Sequence, residues 1–70
     1  MREIFFIVKE AEEGGYVARA IGQSIFTEAD SVEQLKLNIK DVLECHFENK
    51  HERPQIANLH FVKDEVLTFA

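Results

Sequence analysis

Five consecutive apolar residues, Ile4 to Val8 in "EIFFIVK", open the chain without any alternation. A strand of that kind asks for cover on both faces, so residues 3 to 9 predict a central strand of a sheet. "AEEGG" then turns the chain, with Gly14 and Gly15 free to take positive φ. Next comes "YVARA", where Tyr16, Ala18 and Ala20 fall on one side and Val17 and Arg19 on the other. Gly22-Gln23 supplies a second turn and "SIFTEA" a short third strand. The period changes at "DSVEQ". At 100° per residue Val32, Leu35, Ile39, Val42, Leu43 and Phe47 share one helical face, and Glu33, Lys40, Glu44 and Glu48 share the other. Ser31 is placed to cap the helix, with Gln34 three residues on to complete a capping box. Pro54 forbids continuation of the helix. A fourth strand is expected around Leu59 to Val62, a turn or bulge at Lys63-Asp64-Glu65, and a short terminal strand at "VLTF".

The order strand, strand, strand, helix, strand predicts an α+β fold of two layers, a mainly antiparallel sheet with one helix on one face. Antiparallel turns followed by a crossover helix place the fourth strand beside the first, giving the sheet order 3-2-1-4. One helix covers one face only. The other, carrying either Phe5 and Ile7 or Ile4, Phe6 and Val8, stays wet unless a second subunit covers it. A homo-oligomer, dimeric or higher, is therefore expected, with Phe5, Ile7, Val66 and Phe69 as candidate interface residues.

Composition narrows the setting. Seventy residues make one domain near the lower size limit for a self-sufficient core. A single cysteine excludes an internal disulfide and suits a reduced, cytoplasmic location. No apolar run approaches the roughly 20 residues of a membrane helix, and the opening "MREIFFIVK" is too short for an export signal. Eight basic against thirteen acidic residues give a net charge of −5, which opposes a phosphate backbone and argues against direct nucleic-acid binding.

Candidate chemistry is sparse. Cys45, His46, His51 and His60 contain zinc-binding residue types, but their spacing fits no standard site. Cys45 and His46 are helix neighbours whose side chains diverge by about 100°. The same divergence removes a thiolate–imidazole pair, so neither a metal, a cofactor nor a catalytic residue is assigned. His46 is expected to sit part-buried near the helix end, hydrogen-bonded to sheet backbone. Leu37 points off the core face. Glu10, Glu12 and Glu13 beside the first turn, with Glu28 and Asp30, could present an acidic surface to a basic partner.

"GGYVA" at 14 to 18, followed by "TEADSVEQLKLNIKD" at 27 to 41, resembles the HicB-like antitoxin family. The resemblance spans about residues 3 to 50, and the tail "LHFVKDEVLTF" is similar to that of small single-domain members. It implies a partial ribonuclease-H-like fold without catalysis. A live site of that kind would need converging carboxylates for two divalent ions, one from the middle of the first strand, where residues 4 to 8 carry no acid. It also implies dimerisation and the masking of a small basic ribonuclease toxin. Within these residues no helix-turn-helix or ribbon-helix-helix segment is apparent, so DNA autoregulation is not carried over. The competing expectation is an orphan oligomeric domain that binds a small ligand or regulates without a toxin. An enzyme ranks last.

Overall fold

The structure is a computed structural model that describes residues 2–69. Strands β1 (Glu3–Glu10), β2 (Tyr16–Ala20) and β3 (Phe26–Ala29) are followed by helix α1 (Val32–His46) and strand β4 (Ile56–Val62). They form one α+β unit with the sheet order β3-β2-β1-β4. β1 is antiparallel to β2, with Phe6 opposite Ala20 and Glu10 opposite Tyr16. β2 is antiparallel to β3, with Tyr16 opposite Ala29. β4 joins β1 in parallel, from Glu3 beside Ile56 to Lys9 beside Val62. The first strand, with its apolar run from Ile4 to Val8, is thus interior to the sheet, as its composition predicts.

The two faces of β1 have different fates. Ile4, Phe6 and Val8 are buried beneath the helix, with Ala18 and Ala20 from β2, Ile25 from the β2–β3 turn and Leu35, Ile39 and Leu43 from α1. Phe6 and Leu35 are completely enclosed. On the opposite face Phe5 is 49% exposed and Ile7 part-buried. The helix packs over β3 and β2, and β4 contributes no fully buried residue. Val32, Val42 and Phe47 flank the buried helical stripe as the periodicity predicts.

The N-cap is Ser31, in extended conformation at φ −136° and ψ 160°, and its Oγ accepts a hydrogen bond from the Gln34 backbone N–H at 3.1 Å. The reciprocal half of the predicted capping box is replaced. Gln34 Nε2 donates instead to Asn38 Oδ1 at 2.9 Å, the i,i+4 position. Asn38 Nδ2 in turn donates to the Glu28 carbonyl at 3.0 Å and clasps the helix to β3. At the other end the Phe47 N–H donates to the Leu43 carbonyl, and Phe47's own carbonyl accepts from Arg53 Nε and Nη2 at 3.3 and 3.2 Å. A carbonyl left open where the helix stops is thus satisfied by an arginine from the following loop.

Three expectations are corrected. β3 starts at Phe26, because the Ile25 carbonyl already accepts the Ala20 N–H at 3.0 Å and closes the turn. β4 starts at Ile56, earlier than the expected Leu59, because the Arg2 carbonyl accepts the N–H groups of Gln55 and Ile56 and seeds the parallel ladder. Ala57 and Asn58 are poor strand formers on their own, and pairing with β1 overrides that preference. The terminal strand is absent: residues 63–69 form no regular element. A tight hairpin back onto β4 favours residues at ease with positive φ, and Lys63-Asp64-Glu65 offers no glycine. Val66, Leu67 and Phe69 are consequently 93%, 75% and 84% exposed.

Candidate functional site

The β1–β2 turn is a compact loop in which the Ala11 N–H donates to the Gly15 carbonyl and the Gly14 N–H to the Ala11 carbonyl, each at 3.0 Å. Gly14 and Gly15 adopt φ of 98° and 81°. Gly15 also lies so close to the start of the helix connection that a Cβ there would come within 2.8 Å of the Ala29 carbonyl oxygen and 3.4 Å of the Asp30 Cα. This contact docks the hairpin tip against the β3–α1 junction, and it decides where the acidic residues meet.

Glu12 and Glu13 occupy the exposed tip of the turn. Glu10 begins a row that continues through Tyr16 to Ala29 across three strands, a width of about 10 Å. Asp30 follows immediately, and Glu33 adds a carboxylate in the first helical turn. Glu10, Glu12, Glu13 and Asp30 therefore share one end of the sheet, all exposed. Glu28 is exposed too, two residues before Asp30 and beside Val17, on the uncovered face.

The acidic end is not uniformly negative. The parallel register sets Val62 beside Lys9, so that Lys63 and Asp64 arrive at the same end. With Lys9, Glu10, Glu12 and Val62 they line a hollow of about 280 Å³. The residues alone suggest a turn at Lys63 and do not bring it to the acids. Its position follows from the parallel register of β4 on β1, which runs from Glu3 beside Ile56 to Lys9 beside Val62.

The candidate interface residues separate into two groups. Phe5 and Ile7 lie on the uncovered sheet face. Ile7, Lys9, Val17, Arg19 and Phe26 there line a groove of about 240 Å³, with Arg19 between Ile7 and Phe26 in one cross-strand row and Val17 between Lys9 and Glu28 in the next. Val66 and Phe69 stand on the exposed tail beyond β4. His46, expected part-buried, is exposed: it is the last helical residue, and Phe47 beyond it takes the place against the core. The two rings meet edge-on at 4.8 Å and 74°. Cys45, His51 and His60 are exposed, and no three or more histidine, cysteine, aspartate or glutamate side chains are placed to hold a metal ion among the described residues. No helix among them is long and apolar enough to cross a membrane. Within β1 the acids are confined to its ends, Glu3 and Glu10. One buried polar atom, Asn58 Nδ2 on the strand residue paired with Phe5, makes no hydrogen bond.

Neither any protein-family profile nor any solved structure matches the chain. Two curated relatives do. A UPF0150 protein of Archaeoglobus fulgidus is 51% identical over 55 residues, 79% of this chain and 80% of the relative. A UPF0150 protein of Thermotoga maritima is 43% identical over 63 residues, 90% of this chain and 87% of the relative. Identity of this order over most of both chains cannot come from one shared turn or one shared helix: the chain belongs to the UPF0150 family.

Proposed function

We propose that this protein is a non-catalytic interaction domain of the HicB-like antitoxin type, a cytoplasmic homo-oligomer that binds and masks a small basic ribonuclease. The observation that supports this reading best is the docking of the hairpin tip on the β3–α1 junction, which gathers Glu10, Glu12, Glu13 and Asp30 at one end of the sheet. An exposed, predominantly acidic cluster, with Lys9 and Lys63 at its edge, on a chain of net charge −5 favours association with a cationic surface and disfavours a nucleic acid. The residues that carry the family resemblance lie in this region: "GGYVA" forms the turn and the start of β2, and "TEADSVEQLKLNIKD" forms most of β3 and the first turns of α1. The thiol of Cys45, free of any disulfide, fits the cytoplasm.

The test is co-purification with the product of the adjacent reading frame, followed by titration of the two chains. A basic neighbour should bind with affinity that falls as salt rises, since exposed charges are screened within about 10 Å at 0.1 M. Reversal of the tip charges in Glu12→Lys/Glu13→Lys should weaken binding about tenfold, equivalent to about 1.4 kcal/mol. Binding that ignores both salt and these substitutions, or no binding to any co-encoded basic protein, would retire the proposal.

A further inference from the structure

The tail beyond β4 and the uncovered face of the sheet are complementary in chemistry. Residues 64–69, "DEVLTF", present two carboxylates followed by three large apolar side chains, Val66, Leu67 and Phe69, held almost wholly in solvent. The groove on the sheet face has the converse character. Ile7, Val17 and Phe26 supply its apolar surface, Lys9 and Arg19 lie among them, and Glu28 borders it beside Val17. Phe26 is itself 55% exposed. Exposed apolar surface of this kind, rimmed by charge, marks a contact site.

We propose that residues 65–69 of one copy lie in the Ile7–Val17–Phe26 groove of a second copy, with Glu65 facing its Arg19. Two such insertions related by a twofold axis give a closed dimer, because each copy offers the same arm and the same groove. The arm's own groove is the poorer target. The chain leaves β4 at the end where Val62 lies beside Lys9, and reaching β2 and β3 would require a sharp reversal through Lys63-Asp64-Glu65, which lacks the glycine that favours one. The arm instead projects outward. The molecule measures 55 × 21 × 18 Å with a radius of gyration of 14.0 Å, against about 11 Å for a compact chain of this length. Lys9 and Arg19 outnumber Glu28 around the groove, so an acidic arm there offsets part of the repulsion between two copies that each carry −5.

This inference deepens the oligomer of the proposed function and requires no toxin. Sedimentation velocity of the full chain at about 50 µM should find a dimer, and Leu67→Asp/Phe69→Asp should return it to monomer with an unchanged far-ultraviolet circular dichroism spectrum. Arg19→Glu should weaken the dimer by about tenfold, and Arg19→Glu combined with Glu65→Arg should restore it. A Cys45→Ser/Phe26→Cys/Phe69→Cys chain should oxidise to a band of doubled mass on a non-reducing gel. A dimer that survives Leu67→Asp/Phe69→Asp would overturn the arm exchange and leave the oligomer to another surface. A wild-type monomer, or a disulfide formed within one chain, would also overturn the exchange, while toxin binding could still be measured separately.

Discussion

Gly15 has two reasons to be glycine and Gly14 has one. Both sit at positive φ, 81° and 98°, where a side chain costs about 1–2 kcal/mol. A methyl group on Gly14 would meet nothing within 4 Å, whereas on Gly15 it would be 2.8 Å from the Ala29 carbonyl oxygen. That oxygen belongs to backbone and cannot swing aside. Urea denaturation should therefore show Gly14→Ala losing about 1–2 kcal/mol and Gly15→Ala losing more, about 3 kcal/mol, through displacement of the β3–α1 junction. Equal losses in the two variants would mean that the close approach is relieved at no cost. The tandem glycines and the turn they make were legible from the residues alone. Their unequal roles were not, because the partner atom belongs to Ala29, on a different strand.

At the scale of the element, α1 shows which signals are local. Its capping serine, its buried stripe of Leu35, Ile39 and Leu43, and its stop before Pro54 all follow from spacing along the helix and its flanks. What Gln34 does depends on a third residue, Asn38, which competes successfully for its amide. Ser31→Ala should cost about 1 kcal/mol of stability, as loss of a cap does. Gln34→Ala should cost only a few tenths, the worth of an exposed i,i+4 pair, and thermal melts of the two variants would separate them. A Gln34→Ala loss as large as that of Ser31→Ala would reinstate the full capping box. The strands divide in the same way. β1 and β2 were readable from apolar content and alternation, but the first residues of β4 exist as strand because β1 lies beside them. His46 was misjudged for the complementary reason: a helical face says what points inward only while there is sheet underneath.

For the whole molecule, the order β3-β2-β1-β4 of the four sheet strands was accessible because connection lengths and the apolar run in the first strand leave few alternatives. The fate of the tail was not, since a run such as "VLTF" carries strand propensity wherever it lies and only an available edge turns it into strand. The candidate acidic site was half legible. Its carboxylates were named from the residues, but the cations Lys9 and Lys63 joined them only through the parallel register.

The helix lies over β3 and β2 and leaves β4 secured mainly by its ladder to β1. The buried core therefore belongs to β1, β2, the turn residue Ile25 and the helix, with Ala29 of β3 and Leu59 of β4 only packed at its margin. Protection against amide exchange follows the number and burial of such contacts. In deuterium the amides of Ile56 to Val62 should exchange sooner than those of β1 and β2, and slower exchange there than at β2 would show a firmer seat. A seam of this sort unzips from one border while the rest stays shut, so the earliest breach in the native state should free the last strand and its trailing arm together, as a single tether still joined to an intact body.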